Sequence, residues 1–156
     1  MDDINTIGFL AQQIWPQAYG GILSGQQLEY MLHLIYNPRA LTEQMLKQHQ
    51  SFLVAELDEE PVGFASFSKI QPPGIYKLHK LYVRTDIQGK GLGKALINAV
   101  LEEIRPLEAR ALHLNVNRHN KAKAFYEKFG FRVIGEEDID IGNGYFMNDY
   151  VMEMAL

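Results

Sequence analysis

A glycine-rich turn lies near the middle of the chain, with the sequence Gly89-Lys90-Gly91-Leu92-Gly93-Lys94. Glycine lets the backbone bend, and it lets an anion approach the main chain without a Cβ in the way. Where such a turn opens a helix, the free N–H groups of the first helical turn and the helix dipole favour a negatively charged ligand. The two lysines add positive charge nearby. The sequence therefore indicates binding of a phosphate or pyrophosphate group.

The residues on either side predict a strand before the turn and a helix after it. Tyr76 to Val83 is rich in aromatic, β-branched and aliphatic residues, which is typical of a strand. From Leu92 to Ile104 the apolar residues recur at steps of three and four, which predicts a helix with one buried face. Pro106 follows where it would end that helix.

Two well-known phosphate motifs do not fit this spacing. A P-loop requires G-x-x-x-x-G-K-[ST], but Gly89 and Gly93 are too close together, and Ala95 stands where a hydroxyl should bind Mg²⁺. The dinucleotide fingerprint is G-x-G-x-x-G, whereas this turn is G-x-G-x-G. Two alternatives remain: a glycine-rich turn without any ligand, and a nucleotide-binding protein that uses the turn for ATP or NAD.

The turn resembles the acyl-CoA pyrophosphate loop of the GNAT superfamily of N-acetyltransferases. That family's signature is [QR]-x-x-G-x-[GA] between a strand and a helix, and residues 88–93, QGKGLG, match every specified position. The preceding Leu81-Tyr82-Val83 resembles the L-Y-V that ends the family's strand. Residues 117–131, NRHNKAKAFYEKFGF, resemble the second signature, N-x-x-N-x-A-x-x-F-Y-E-K-x-G-F. Two motifs in the right order are more specific than either alone.

The resemblance implies transfer of acetyl from acetyl-CoA to a primary amine by direct attack, with CoA as product. In the family a backbone N–H of the central strand contacts the thioester oxygen, which corresponds here to Leu81–Val83. A tyrosine on the late helix protonates the departing thiolate, which corresponds to Tyr126. Asn120 matches a position that contacts the pantetheine arm. The implied cofactor-binding residues are Leu81, Tyr82, Val83, Gln88, Gly89, Lys90, Gly91, Leu92, Gly93, Lys94, Asn120 and Tyr126.

His79 on the central strand is a second catalytic candidate. The acceptor amine must be neutral to attack, so a base or a water chain must accept its proton. A histidine titrates near neutral pH and could be that base, although a lone strand histidine can also be structural. No cluster of carboxylates and histidines has metal-ligand spacing, so no metal is expected.

The acceptor is not identified by the sequence. In the family the acceptor pocket is built by the first two helices, the hairpin and the last loop, and tyrosines from the matching segments here could line it (Tyr19, Tyr30, Tyr36 and Tyr145). An acidic, glycine-bearing loop over residues 136–144 could recognise a cation. Aromatic walls suit polyamines, amino-acid amines, aminoglycosides and protein N-termini alike. The alternative function is a non-catalytic acyl-CoA-binding module that regulates a partner.

Composition predicts one cytoplasmic domain over residues 1–156. The chain is 47% hydrophobic and 22% charged, has no cysteine, and carries a net charge of −4. The absence of cysteine excludes disulfides and a thiolate nucleophile. The net charge argues against nucleic acid and suits a cationic substrate. No apolar run is long enough to span a bilayer, and the first residues lack the pattern of a secretory signal.

The order of predicted elements indicates an α/β (α+β) protein with a mixed sheet and helices on its faces. Three helices come first, and Pro16 is expected to close the first of them. A hairpin over residues 51–68, the central strand, the glycine turn and the central helix follow. Strands are then predicted at residues 111–117, 131–134 and 145–156, with a helix from Asn120 to Phe129. The first strand usual in the family is missing, and the resulting sheet edge suggests a possible homodimer.

Overall fold

The computed structural model describes residues 2–87 and 89–156, apart from the side chain of Asp2. Within these ranges the helices are α1 (Asp2–Tyr19), α2 (Gly25–Tyr36), α3 (Pro38–Leu46), α4 (Leu92–Ile104) and α5 (Ala122–Phe129). The strands are β1 (Ser51–Leu57), β2 (Glu60–Ile70), β3 (Ile75–Val83), β4 (Ala111–Asn117), β5 (Arg132–Gly142) and β6 (Tyr145–Ala155). No helix in these ranges is both long and apolar enough to cross a membrane.

The strands form one sheet in the order β1-β2-β3-β4-β6-β5. Neighbours are antiparallel except β3 and β4, which are parallel and are connected through α4. This mixed sheet with flanking helices confirms the predicted fold class. The described part of the chain opens in α1 without a preceding strand, so β1 forms one edge of the sheet. The homodimer suggested by that edge stays a prediction.

The helices cover the two faces of the sheet separately. On one face, Ile97 of α4 and Leu112 of β4 belong to a core that also includes part of α5. On the other face, α1, α2 and α3 cover the sheet, and Ile7 and Leu41 share a second core with Phe64 of β2. All five of these side chains are fully buried. Burial of each contributes about 1.5–3 kcal/mol, so the two layers hold the central strands from both sides.

Pro16 does not end the first helix, contrary to the sequence prediction. Helix α1 continues to Tyr19, and the Gly20 N–H donates to the Pro16 carbonyl at 3.0 Å. Proline removes one helical hydrogen bond at a cost of about 3 kcal/mol. Trp15 and Tyr19, which are 3% and 6% exposed, flank the proline and pack with their rings 4.7 Å apart. Their burial offsets the lost hydrogen bond.

The acidic stretch over residues 136–144 is also not the loop predicted from sequence. Most of it belongs to β5, which extends to Gly142 and pairs with β6. Only Asn143 and Gly144 turn the chain, and both have positive φ, at 55° and 77°. The carboxylates therefore alternate between the two faces of an edge strand. They remain exposed to solvent there while the backbone of β5 keeps its hydrogen bonds to β6.

Strand β3 carries an extra residue at His79. Lys80 lies opposite Ser66 of β2 while Leu78 lies opposite Phe67, so His79 has no partner there. Such a bulge changes which face the following side chains occupy. Leu78 lies in the core beneath α4, whereas Lys80, two residues later, lies beneath α1–α3.

Lys80 is a buried cation in this second layer and is 8% exposed. Its Nζ donates to Gln44 Oε1 at 2.7 Å and to Gln50 Oε1 at 3.1 Å. It also lies 5.4 Å from the ring centre of Phe52 and 5.9 Å from that of Tyr36. Burial lowers the pKa of Lys80 to about 8 because no bulk water solvates its charged form.

We expect Lys80 to make the free energy of unfolding rise between about pH 8 and pH 10. In that window the folded state has released the Lys80 proton, since its pKa is about 8, while the unfolded chain keeps it up to the ordinary value of 10.5. The unfolded state then binds more protons, so stability increases with pH, by about 2–3 kcal/mol. Urea unfolding of wild type and Lys80→Met across this window measures the difference in slope.

The exposed Lys69→Met on β2 is the matched control and should keep the wild-type slope. The window stops near pH 10 because tyrosines with raised pKa values, such as Tyr82, make stability fall above it. An unchanged slope in Lys80→Met would contradict the prediction.

Candidate active site

The central strands β3 and β4 pair over only part of their length. Their register covers Ile75–Leu78 against Ala111–Leu114, yet β3 continues to Val83 and β4 to Asn117. The strands part immediately after Leu78, where His79 forms the bulge. A gap therefore opens in the middle of the sheet, between residues 79–83 of β3 and 115–117 of β4. We call it the cleft.

The backbone of β3 directs polar groups into the cleft. The Arg84 N–H donates to the Val62 carbonyl of β2 at 2.8 Å, so the backbone of Arg84 points toward β2. Because successive residues of a strand point their backbone groups to opposite sides, the N–H groups of Leu81 and Val83 point toward the cleft. No partner strand lies on that side in the described residues beyond Leu78.

The glycine turn lies at the start of α4, next to the end of β3. Gln88, predicted to bind the cofactor, lies outside the described residues. Gly89 and Gly91 have φ of 92° and 74°, and a Cβ built on either would meet no atom within 4 Å. No side chain caps α4, so the first N–H groups of the helix have no side-chain acceptor. These features fit an anion, and the exposed Lys90 and Lys94 carry positive charge beside it.

Tyr126 of α5 lies on the face of the sheet that α4 covers, and its hydroxyl is close enough to act on Tyr82 beside the cleft. It is 8% exposed and packs edge-on against Phe131. Burial raises its pKa well above the usual value, and the nearby Tyr19 hydroxyl raises it further. The Tyr126 hydroxyl is therefore protonated at neutral pH and can act as a donor. Its catalytic role stays a prediction.

Two further tyrosine hydroxyls meet on the opposite side of the cleft. Tyr19, at the end of α1, and Tyr82 of β3 have their hydroxyl oxygens 2.9 Å apart. Burial raises the pKa of both, and the Tyr126 hydroxyl contributes to the shift of Tyr82. Asn120 Oδ1 accepts from the Ala122 N–H at 2.9 Å. Asn120 thus binds the first N–H group of α5 next to Asn117 at the edge of the cleft, while Lys121 occupies the N-cap position.

His79 lies at the point where the strands part, with its ring on the side of α1–α3. Its Nε2 is 2.6 Å from Ser68 Oγ. Burial lowers the pKa of His79 to about 4, and the neighbouring Lys77 and Lys80 lower it in the same direction. The imidazole is therefore neutral at pH 7, the form that can accept a proton, although the low pKa makes it a weak base. Its role as base stays a prediction.

The other tyrosines expected to line an acceptor pocket lie in two different places. Tyr30 of α2 and Tyr145 of β6 have ring centres 5.4 Å apart, and Tyr30 Oη donates to the Ile141 carbonyl at 3.1 Å. These contacts join α2 to the end of the β5–β6 hairpin. Tyr36, by contrast, is buried against Trp15 and belongs to the core. It does not line an open pocket.

One acidic residue near the cleft was missed in the sequence. Asp149 of β6 is directly opposite Asn117 of β4, which borders the cleft, and it is 4% exposed. The signal was available, because Asp149 interrupts the largely apolar end of the last strand. Acidic residues are rarely this buried unless they are paired.

No group of three His, Asp or Glu side chains in the described ranges is arranged to hold a metal ion.

A mixed sheet whose central parallel strands part beside a helix N-terminus defines the GNAT class of fold. The sequence matches the family model described as an acetyltransferase (GNAT) domain over residues 22–153. The chain belongs to the GNAT superfamily of N-acetyltransferases. Members of this family use acetyl-CoA.

Individual relatives resemble the chain at modest identity. It is 27% identical over 161 residues to the spermidine N(1)-acetyltransferase of Thermoplasma acidophilum, covering 98% of this chain and 91% of that protein. It is 33% identical over 93 residues to an uncharacterized N-acetyltransferase of Methanocaldococcus jannaschii, covering 56% of this chain but only 41% of that protein. The crystal structure of the PaiA N-acetyltransferase of Thermoplasma acidophilum in complex with coenzyme A superposes with a TM-score of 0.83 at 26% identity, covering 99% and 94% of the two chains.

Proposed function

We propose that this protein transfers the acetyl group of acetyl-CoA to a primary amine by direct attack in a ternary complex. The amine belongs to a small molecule such as a polyamine, or to a peptide. The observation that carries the proposal is the cleft, which opens between β3 and β4 with the Tyr126 hydroxyl near it. Family membership and the spermidine-acetylating relative support the same reaction class.

The residues that would hold acetyl-CoA come from the glycine turn, from the start of α4 and from the segment between β4 and α5. The turn at Gly89–Gly91 and the first N–H groups of α4 would bind the pyrophosphate, with Lys90 and Lys94 contributing charge. Asn120 would contact the pantetheine arm at the edge of the cleft. When bound, acetyl-CoA supplies the acetyl group as an activated thioester.

The chain's own groups then serve the reaction. The N–H groups of Leu81 and Val83 point into the cleft, where they can donate to a carbonyl oxygen that gains negative charge during acyl transfer. The protonated Tyr126 hydroxyl can donate to a departing thiolate. The neutral His79 imidazole is the proposed acceptor of the amine proton, directly or through water.

Thermal melting with ligands tests the cofactor assignment. At about a hundred times its dissociation constant, a ligand adds about 2.7 kcal/mol to stability. In a chain of this length each kcal/mol is worth about 2–4 °C. We therefore expect acetyl-CoA and CoA each to raise the melting temperature by about 5–10 °C, while ATP and NAD leave it unchanged.

Turnover separates an enzyme from a binding module. A protein that is stabilised by acetyl-CoA should also release thiol when it is given primary amines. Stabilisation without turnover on any amine would favour the non-catalytic module. A folded sample with no response to acetyl-CoA or CoA would contradict the proposal as a whole.

A further inference from the structure

Asp149 carries a buried carboxylate oxygen without a partner. Its Oδ1 is fully buried and has no hydrogen bond, and its Oδ2 accepts only a long one, at 3.4 Å, from Asn115 Nδ2. None of the ion pairs in the described part of the chain includes Asp149. An unsatisfied buried acceptor destabilises the fold, and a bound ligand or a catalytic role is among the explanations for such a group.

The charges around Asp149 leave it short of a counter-ion. Glu137 of β5 is directly opposite it, and like charges at opposite positions of an antiparallel pair destabilise each other. Arg118 is near, but its Nη2 donates to Asp138 Oδ1 at 2.8 Å and its buried Nε has no hydrogen-bond partner, so it does not hydrogen bond to Asp149. Burial and then Glu137 raise the pKa of Asp149, while the Asn115 amide, Lys77 and Arg118 act in the opposite direction.

Asp149 lies on the face of the sheet that α1–α3 cover, because the adjacent Tyr150 faces the core beneath α4 and side chains alternate along a strand. Asn117, which is opposite Asp149, borders the cleft. The charge of Asp149 also acts on the Tyr19 hydroxyl, which hydrogen bonds with Tyr82 at the opening of the cleft on this face, here called its mouth. Tyr126 belongs to the core on the other side of the sheet, under α4. Cofactor and acceptor can therefore approach the cleft from opposite faces.

We propose that Asp149 binds the ammonium group of the acceptor amine at the mouth of the cleft, and that the exposed Glu137 binds a second positive charge of the same molecule. The acceptor is therefore a small polycationic amine. This inference rests on the proposed acetyl transfer and names its substrate class. A bound cation would offset the repulsion between the neighbouring carboxylates of Asp149 and Glu137.

The test compares two amines with three charge-neutralising variants. Initial rates of thiol release are measured with spermidine, which carries several positive charges, and with butylamine, which carries one. Asp149→Asn should lower kcat/KM for both amines by about tenfold to a hundredfold, since it removes one charged hydrogen bond. Glu137→Gln should lower kcat/KM for spermidine alone, by about fivefold to tenfold. Glu136→Gln removes the same charge from the opposite face of β5 and should change neither.

Two further readouts separate binding from a structural role. The acetyl-CoA-dependent rise in melting temperature should be unchanged in Asp149→Asn. The melting temperature of that variant without ligand should equal or exceed that of wild type, because the change removes a buried, unpaired charge. A structural role for Asp149 predicts the opposite, a lower melting temperature.

The inference and the proposed function fail in different ways. If wild type acetylates amines and Asp149→Asn behaves like Glu136→Gln, the acceptor site is wrong and the function stands. If wild type acetylates no amine, the function is wrong, and spermidine is then tested as a ligand of the CoA-saturated protein. Stabilisation by spermidine in wild type but not in Asp149→Asn would support the site, and its absence in wild type would overturn it.

Discussion

Replacement of Tyr126 by phenylalanine should lower kcat by at least about a hundredfold, the usual contribution of a positioned general acid. The change removes only the hydroxyl, so the packing against Phe131 and the burial of the ring remain. The hydroxyl is protonated at neutral pH and so is available as a donor, although the pKa that burial raises makes it a weaker acid than an exposed tyrosine. Steady-state kinetics with saturating acetyl-CoA and any accepted amine measure the loss.

Tyr76→Phe is the matched control for this prediction. Tyr76 is also buried in the core beneath α4, at 7% exposure, but it lies in the paired part of β3, away from the cleft. Its replacement should leave kcat near the wild-type value. Both variants should keep the acetyl-CoA-dependent rise in melting temperature. Equal rates in Tyr126→Phe and wild type would remove Tyr126 from the mechanism.

The parts of the site that the sequence predicted are those built from local patterns. The strand before the glycine turn and the helix after it appear within one residue of the predicted ends, because apolar spacing and Pro106 define them locally. A local signal also begins α3, where Pro38 is the first helical residue and the side chain of the preceding Asn37 accepts from the Ala40 N–H at 2.8 Å.

The parts that were missed depend on contacts between distant segments. Nothing local marks His79 as a bulge, since the extra residue exists only relative to its partner strand β2. The helix passes through Pro16 because tertiary burial of Trp15 outweighs the local rule. Asp149 becomes conspicuous only when the sheet places it opposite Glu137 and buries it. The parting of β3 and β4, which makes the cleft, belongs to this same class.

Gly91→Val should weaken acetyl-CoA binding by about a hundredfold while leaving kcat at saturating cofactor near wild type. Gly91 precedes α4 with φ of 74°, in the left-handed region, and its carbonyl accepts from the Ala95 N–H at 2.9 Å. Outside glycine this conformation costs about 1–2 kcal/mol, and a β-branched residue adopts it rarely. The turn is expected to relax to negative φ, which would turn N–H donors away from a bound pyrophosphate. Each charged hydrogen bond lost is worth about 1.5–3 kcal/mol. Titration calorimetry with acetyl-CoA measures the change.

Gly21→Val controls for the added side chain itself. Gly21 lies in the exposed turn after α1, its φ is outside the left-handed region, and a Cβ there would meet no atom within 4 Å. This variant should bind acetyl-CoA as wild type does. A Cβ on Gly91 would also meet no atom within 4 Å, so a loss of acetyl-CoA binding confined to Gly91→Val must come from backbone conformation or from the space that the anion needs.

Gly91→Asn separates these two causes, because asparagine tolerates the left-handed conformation but still adds a side chain. Recovery of binding in Gly91→Asn assigns the loss to the backbone, and wild-type affinity in Gly91→Val would show that this turn does not bind the cofactor.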